Sequence, residues 1–255
     1  MFNKAIAVLS LSLASSGLGF ACQAIDFADA TAITSVPYTI DHSGTYYLAQ
    51  KCTYDGTHGA PAIVVNASEV VLDLNGQSLV ASGVAKSPDV GIGILVVNQE
   101  DVTIQNGDID GFGYGGILFD ASDKMKEHNF KNEACNVRFN NDMIGVLTIS
   151  GSLVDVEECF FEGGSIGIYD IATLGGDRFQ ADNFEAQTGV EALNEGIGIV
   201  TTGGVGVLVE DCMVADAQSF GVYLNDGKGD KYRFNSFIND PVTIVGGIEE
   251  GTSDL

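Results

Sequence analysis

The feature that most constrains this chain is a repeated coil, and seven coils can be lined up by an opening motif of Gly or Ala followed by Ile or Val. The motif begins at Ala62, Gly93, Gly116, Gly145, Gly167, Gly198 and Gly221. Successive spacings are 31, 23, 29, 22, 31 and 23 residues. A recurring interval of roughly 20 to 50 residues indicates a repeat protein. Long and short spacings alternate, which indicates an old duplication of a two-coil unit.

Each repeat contains short β-branched runs separated by turns. In the repeat that begins at Gly93, the runs Ile94–Val97 and Val102–Ile104 come first, and a bend at Asn106-Gly107 follows. Three short strands in one repeat predict one coil of a parallel β-solenoid. The 33 Gly and only 4 Pro among 255 residues agree with many tight turns between strands.

Two stretches resemble secreted bacterial right-handed parallel β-helix repeat proteins of the pectin-lyase-like superfamily. They are Ile33–Leu48, and Val70–Gly76 taken together with Val102–Gly107. The resemblance covers roughly residues 33–245 and implies an all-β fold, a single right-handed parallel β-helix of about seven to eight coils. It implies no single activity, because that superfamily holds lyases, hydrolases, epimerases and non-catalytic proteins.

The chain is predicted to have four parts. Residues 1–24 are interpreted as a signal peptide, because Lys4 precedes an apolar run shorter than the ~20 residues of a membrane span. Residues 25–60 are predicted to be an N-terminal cap, 61–247 the β-helix and 248–255 an acidic C-terminal tail. We therefore expect a secreted or periplasmic protein.

The five cysteines can be oxidised in such a location. Signal cleavage is compatible with the sequence after Ala21 or after Ala24. Cleavage after Ala21 would retain Cys22, which could then pair with Cys52 or carry a lipid. Cys159 and Cys212 occupy the same coil position two coils apart, about 9.6 Å, which exceeds the ~7 Å limit for a disulfide. They are predicted to be buried, stacked and reduced.

Acidic residues outnumber basic ones by 35 to 11, giving a net charge of −24. Such a charge repels nucleic acids and anionic membranes, so we expect neither as a partner, and no segment outside the signal is apolar enough to span a membrane. No motif indicates a cofactor. Calcium is the alternative at stacked carboxylates, because a hard cation would relieve their repulsion. The candidates are Glu157-Glu158, Asp182 and Glu210-Asp211.

The three arginines, Arg138, Arg178 and Arg233, each directly precede a phenylalanine. Strand alternation predicts that each Phe points inward and each Arg outward. Their spacing suggests that the arginines occupy one equivalent position in every other coil, with Asp155 at that position between Arg138 and Arg178. We therefore expect a single outward ladder in which neighbouring residues lie ~4.8 Å apart. The ladder is either a set of surface ion pairs or a cationic track for an acidic glycan. The basic insertion Asp120–Ala134 precedes it.

A second candidate surface lies two residues after each opening motif, where an apolar column is predicted to face outward. The column is Leu95, Leu118, Leu147, Tyr169, Val200 and Tyr223. Such a row is larger than a soluble monomer usually exposes. It is therefore covered by the insertions, covered by a partner, or a groove in which Tyr169 and Tyr223 stack on sugar rings. The oligomeric state stays open.

The predicted ligand-binding set is therefore Arg138, Arg178, Arg233, Tyr169 and Tyr223. The favoured hypothesis is association with an extracellular acidic polysaccharide without catalysis. The alternatives are a polysaccharide lyase or epimerase acting on uronate glycans, and a purely structural β-helix. No residue is assigned a catalytic role, because the hydrolase motifs of the superfamily are absent. Asp108 and Asp110 are interpreted as turn residues.

Overall fold

A computed structural model describes residues 22–56, 60–87, 91–121, 131–149, 153–171, 177–180, 182–185, 197–203, 206–215, 220–225, 229–233, 235–238 and 248–249. Most of the predicted signal peptide, most of the basic insertion and most of the acidic tail lie outside these residues. No helix in the described part of the chain is long and apolar enough to cross a bilayer.

The described residues form short strands and one 3-10 turn, Gly83–Lys86. In chain order the strands are β1 (Thr31–Ile33), β2 (Tyr38–Ile40), β3 (Gly44–Leu48), β4 (Cys52–Tyr54), β5 (Ile63–Val65), β6 (Val70–Asp73), β7 (Ser78–Ala81), β8 (Ile92–Val97), β9 (Val102–Asp110), β10 (Gly115–Asp120), β11 (Lys131–Asn140), β12 (Ile144–Ile149), β13 (Leu153–Glu157), β14 (Phe160–Glu162), β15 (Ile166–Ile171), β16 (Arg178–Gln180), β17 (Asn183–Glu185), β18 (Ile197–Thr202), β19 (Leu208–Glu210), β20 (Met213–Ala215), β21 (Phe220–Asn225), β22 (Lys231–Arg233), β23 (Ser236–Ile238) and β24 (Ile248–Glu249).

The strands stack into three faces, and every described pairing is parallel. The opening face is the eight-stranded sheet β2-β5-β8-β10-β12-β15-β18-β21. The middle face is the path β1-β3-β6-β9-β11-β13-β16-β19-β22-β24. The closing face holds β4, β7, β14, β17, β20 and β23, together with the second halves of β9 and β11. The chain therefore climbs one rung per coil, and the predicted all-β parallel solenoid is confirmed, with a coil count close to the predicted seven to eight.

The opening motif sets the register of the opening face, as predicted. The residue after each opening pairs with its equivalent in the next coil, from Ile63 with Ile94 to Ile199 with Val222. These side chains form one column in the main core, and each is at most 1 % exposed. Stacking a buried β-branched residue on its equivalent in each coil stabilises the ladder through continuous apolar burial.

Residues 25–60, predicted as a cap, pair in the same ladder as the coils that follow. Tyr38 pairs with Ile63 on the opening face, and Tyr46 pairs with Leu72 on the middle face. The segment is thus built as a rung of the solenoid, and β1 adds one further strand at its edge. A capping role for it stays a prediction.

The glycine of the opening motif is required by close packing. Behind it lies a column of stacked rings, with 4.8 Å between the Phe139 and Phe161 centroids and 4.7 Å between Phe161 and Phe184. A Cβ on Gly145 would lie 2.4 Å from the Phe161 ring and 2.7 Å from the carbonyl oxygen of Gly167. Each ring can therefore occupy the core only because the opening position has no side chain.

Replacing Gly145 with Ala should lower the free energy of unfolding by about 1–3 kcal/mol, because the methyl group overpacks the ring column. Gly115→Ala is the matched control, because its Cβ would meet only a carbonyl oxygen at 3.6 Å. In a double-mutant cycle measured by urea unfolding, Phe161→Leu should reduce the loss of stability caused by Gly145→Ala by roughly 1 kcal/mol. Equal losses for the two glycine variants would contradict this packing account.

The described cysteines form one disulfide, Cys22–Cys135, so the predicted Cys22–Cys52 pairing is wrong. Cys22 belongs to an N-terminal segment that lies on the middle face, where the side-chain amide of Gln105 donates to the Gln23 carbonyl at 2.6 Å. The other three described cysteines are free and buried. They include Cys159 and Cys212, which confirms that prediction.

Alkylation of the unfolded, unreduced protein should therefore modify Cys52, Cys159 and Cys212 and spare Cys22 and Cys135, as read by peptide mass spectrometry. Reduction before alkylation should make all five reactive and lower the stability of the folded protein by about 2–4 kcal/mol, because the bridge closes a long loop. A modified Cys135 without reductant would show that the bridge does not form.

Candidate functional site

The three arginines do not form the single ladder predicted for them. Arg178 pairs with Asp155, as expected. Arg138 pairs instead with Asp108 and Phe160 on the closing face, and Arg233 pairs with Glu210 in a different column of the middle face. Arg138 is outside the predicted ladder because β11 runs without a break through the corner at Asn136, which places Arg138 beyond that corner. Phe139 and Phe179 do point inward, as predicted.

Arg178 and Arg233 converge on one buried carboxylate, Glu210. Arg178 donates to Oε1 from Nε at 2.9 Å and from Nη2 at 2.6 Å, while Arg233 donates to Oε2 from Nε at 2.7 Å. Glu210 retains only 4 % exposure of its side chain, and its arginine partners retain 27 % and 37 %. Burial alone would raise the pKa of Glu210, but the hydrogen bonds and charges of the two arginines outweigh it, and the net pKa is lowered. This arrangement is a structural clamp between coils.

Removing one arm of the clamp should destabilise the fold, because a buried carboxylate is left with half its partners. Arg178→Gln and Arg233→Gln should each cost about 2 kcal/mol in urea unfolding at pH 7. Because the pKa of Glu210 is lowered on folding, the clamp stabilises above the unfolded value near ~4.3 and its contribution fades as pH falls below that. Arg138→Gln is the control and should leave stability within about 0.5 kcal/mol. A loss for Arg138→Gln as large as for the other two would contradict this division.

Arg138 lies instead at the mouth of a surface cavity of about 300 Å³. Its guanidinium carbon is 4.9 Å from the centroid of the Phe160 ring, a cation–π contact. Among the described residues Arg138 forms no ion pair, and its side chain is exposed. The ring therefore contacts the guanidinium, and none of the guanidinium N–H groups donates to a described residue. The other polar residues that line the cavity are Asn106, Asp108, Asn136 and Glu158.

The walls of this cavity are built by a corner that repeats in successive coils. Asn106, Asn136 and Glu158 all have left-handed backbones, with φ of 60°, 50° and 54°. Asn tolerates that conformation better than most residues, because its short polar side chain bonds locally. The Asn136 amide donates to the Asn106 side-chain oxygen at 2.9 Å, which fixes the two along the ladder. The cavity is thus preformed by backbone geometry.

A second cavity, of about 410 Å³, adjoins the far end of the same strand segment. Its described lining includes Lys86, Asn141, Met143 and Ser165, with backbone from the glycines between them. Lys86 is exposed and, among the described residues, forms no ion pair. Arg138 and Asn141 are three residues apart, so the two cavities lie about 10 Å from each other along the chain. Each contains one cation that no described acidic side chain neutralises.

Four of the six residues of the apolar column predicted on the opening face lie outside the main core, as expected. Leu118, Leu147 and Ile144 form a hydrophobic cluster separate from the main core, and Leu95 and Tyr169 pack against it. Leu118, Leu147 and Val200 are at most 9 % exposed, whereas Leu95, Tyr169 and Tyr223 are half-buried. The column is therefore only partly shielded from solvent. The two tyrosines lie on a different face from all three arginines, so the five predicted binding residues do not form one site.

The acidic residues nominated for calcium have other environments. Glu210 is neutralised by arginine, Asp182 accepts a backbone N–H, and Asp211 is exposed at a corner. Within the part of the chain that the structure describes, no three or more His, Cys, Asp or Glu side chains are grouped so that they could hold a metal ion. Calcium binding stays an untested prediction. From the basic insertion, Lys131 is described and forms an ion pair with Asp155 at 3.1 Å, while Lys124, Lys126 and His128 lie outside the described residues.

Sequence reasoning did not identify Phe160, Asn136 or Lys86 as site residues, and it nominated Glu158 only for calcium. Asp108, interpreted as a turn residue, lies within β9 and lines the first cavity, and Asp110 ends the same strand. The sequence signal that could have located this cavity is Asn136, which is the equivalent of Asn106 and marks the same corner. An alignment on these asparagines places Arg138 opposite Asp108. For Lys86 the sequence carries no such signal.

Comparison with known proteins adds one match. A family profile described as a right-handed β-helix region matches residues 92–252. A search of curated proteins found no significant match.

Proposed function

We propose, for a chain that belongs to the right-handed β-helix family, that it binds a saccharide chain at the Arg138 cavity without catalysing its cleavage. The observation that carries the proposal is the exposed guanidinium held over Phe160 beside uncharged and acidic hydrogen-bonding groups. Arg offers a planar set of donors that fits a carboxylate bidentately. Asn amides supply donors and acceptors, and carboxylates accept from hydroxyl groups. A uronate-containing glycan offers both kinds of partner.

The Lys86 cavity extends the same surface. A glycan that binds Arg138 through one carboxylate could continue across the closing face and place a later carboxylate near Lys86. This course runs across the coil rather than along the solenoid axis, because the two cavities lie at opposite ends of the strand Arg138–Asn140. The net charge of −24 opposes a densely charged polyanion, so a glycan with spaced carboxylates suits the surface better.

The lyase or epimerase alternative has weaker support. Such a reaction needs one cation to neutralise the uronate carboxylate and a separate base to remove the adjacent proton. Among the described residues of the Arg138 cavity there is one cationic side chain and no Lys, His or Tyr that could be the base. One arginine cannot do both, which favours binding over catalysis.

We also propose an extracytoplasmic location, with signal cleavage after Ala21. The support is the Cys22–Cys135 disulfide, because such a bridge persists in oxidising compartments and requires that Cys22 be retained. A sulfur engaged in this bridge cannot also carry a thioether lipid. The intact mass of the mature protein decides whether its first residue is Cys22.

Glycan binding is tested by affinity electrophoresis through gels containing polygalacturonate, alginate, hyaluronan or neutral dextran. At least one uronate gel should retard the wild-type protein. Arg138→Gln and Phe160→Leu should each weaken retention about tenfold, because a charge-assisted bond contributes roughly 1.5 kcal/mol or more. Lys51→Gln is the matched control, since it removes one exposed positive charge that lies three coils from Arg138 and lines neither cavity.

Three outcomes separate the hypotheses. Unchanged retention of Arg138→Gln excludes this cavity, and Tyr169→Ala with Tyr223→Ala then tests the opening face. Lack of retention by any gel favours the purely structural β-helix. Ultraviolet absorbance from an unsaturated sugar product during incubation would establish a lyase. Lys86→Gln should weaken binding of long oligosaccharides and spare short ones.

A further inference from the structure

Two asparagines tie adjacent coils together at their corners. The Asn235 side-chain oxygen accepts from the backbone N–H of Cys212 at 3.0 Å, and its amide donates to the carbonyl of Val209 at 3.1 Å. Asn132 makes the same two bonds at another corner, with 3.1 Å to each backbone partner. In both cases the accepting carbonyl lies three residues before the donating N–H. Each asparagine thereby satisfies one donor and one acceptor of the preceding coil.

Three buried aspartates, Asp177, Asp182 and Asp230, occupy positions equivalent to these asparagines, and a fourth, Asp142, makes the same backbone contact at the corner between β11 and β12. The strand registers place Asp182 in the column of Asn235, and Asp177 and Asp230 in the column of Asn132. Each accepts a backbone N–H of the preceding coil through Oδ1, at 2.7 Å for Asp142, 2.8 Å for Asp177, 2.9 Å for Asp182 and 3.1 Å for Asp230. Each aspartate thus accepts a backbone N–H, as the asparagines do.

Donation to the backbone carbonyl, which the asparagine amide provides, requires a proton on the aspartate. The Oδ2 atoms of all four aspartates are buried and have no donor as partner among the described residues. Asparagine has an N–H donor at this position, whereas an ionised carboxylate offers only lone pairs. For Asp182 the carbonyl that corresponds to the asparagine acceptor is that of Val156. A neutral acid could donate to it, while a carboxylate would leave two acceptors facing each other without a hydrogen bond.

The surroundings of these groups favour the neutral form. Desolvation raises the pKa of Asp182 well above its ordinary value, and the charged groups that bear on it, Glu157 and Glu158, are anionic. The thiols of Cys159 and Cys212 flank it, and desolvation raises their pKa as well. No arginine or lysine is among the groups that perturb Asp182.

Asp142 and Asp177 behave in the same way, and burial also raises the pKa of Asp230. Desolvation comes first among the causes that raise the pKa of Asp142, followed by the charge of Asp110. For Asp177 the pKa is raised by desolvation and then by the charge of Asp170. Asp170 accepts from the Thr148 hydroxyl, and burial raises its pKa to about 6. The Oδ2 atoms of both residues are buried without a hydrogen-bond partner among the described residues.

We propose that Asp142, Asp177 and Asp182 are neutral acids that replace asparagine in the corners of the coils, so that folding takes up protons and the solenoid loosens as the pH rises. The proton balance is simple. Each neutral acid keeps one proton in the folded chain that the unfolded chain releases above its own pKa. The protein is thereby adapted to acidic surroundings.

The sign of the pH dependence follows. Because the folded pKa values are raised, the stabilisation is fully present below the unfolded Asp value near ~3.9 and is lost as pH rises through the folded values. The value of about 6 for Asp170 places part of this loss between about pH 4 and 6, and the more strongly raised groups extend it upward. Each pKa unit changes the unfolding equilibrium constant about tenfold for one group.

The test compares urea unfolding at pH 4 and pH 8. Asp182→Asn restores the side chain found at Asn235 and should lower the unfolding constant at least tenfold at pH 8, with less than a threefold change at pH 4. Asn235→Asp is the mirror variant. Its unfolding constant should stay close to that of the wild-type protein at pH 4 and rise at least tenfold at pH 8. Asp211→Asn is the control, because it removes an exposed charge one residue from Cys212. It should leave the unfolding constant unchanged at both pH values.

Infrared spectroscopy gives a direct readout. At pH 7 the folded protein should show the carbonyl absorption of protonated carboxylic acids, and Asp182→Asn should remove part of it. Unchanged absorption, or Asp182→Asn that destabilises equally at both pH values, would mean that the ionised carboxylate is the native form. Equal gains for Asp182→Asn and Asp211→Asn would assign the pH dependence to surface repulsion. Either result overturns the proposal.

Discussion

In-register parallel pairing is the constraint on which the rest of this molecule depends. It places each side chain about 4.8 Å from its equivalents in the coils above and below, so a side chain is tolerated only if it can stack on what lies there. Apolar residues satisfy this easily, as the opening column and the Phe139–Phe161–Phe184 stack show. Charged residues do not, because like charges at this distance repel. The middle face therefore sets Arg178 beside Asp155 and Arg233 beside Glu210.

The same constraint explains the two-coil period of the sequence. At one corner Val102, Val154 and Val207 alternate with Asn132, Asp177 and Asp230 along the ladder. Each polar side chain bonds the backbone of the apolar coil before it, so two successive coils form the smallest complete hydrogen-bonded unit. The spacings of the opening motif alternate between long ones of 29–31 residues and short ones of 22–23 residues, and so have the same period. Duplication of that unit extends the ladder without leaving a corner unsatisfied.

The fold could be predicted because the opening motif is local, recurrent and tied to a buried column. The arginine register could not, because Phe139 and Phe179 are both buried after an Arg yet lie on different faces of the coil. The Cys22–Cys135 bridge joins a non-repeating segment to the ladder over 113 residues, and periodicity carries no information about it. The candidate cavity was missed for a related reason, since Phe160 and Lys86 occupy positions at which the repeat prescribes no residue type.

A ladder of repeated residues gives a ligand little to recognise, so specificity requires a column in which the residues differ. The column through Arg138 is such a place, because Asp108, Arg138, Phe160 and Asn183 follow one another there. Acidity also changes the charge of the surface around this column. In an acidic medium the exposed carboxylates become partly neutral, while a uronate with a pKa near ~3.5, as for α-carboxyl groups, stays mostly ionised. The repulsion between a chain of net charge −24 and an acidic glycan then falls, and the Arg138 guanidinium keeps its full charge. Under the two proposals, the conditions that favour folding of the proton-dependent corners are therefore also those in which this cavity would attract a uronate most effectively.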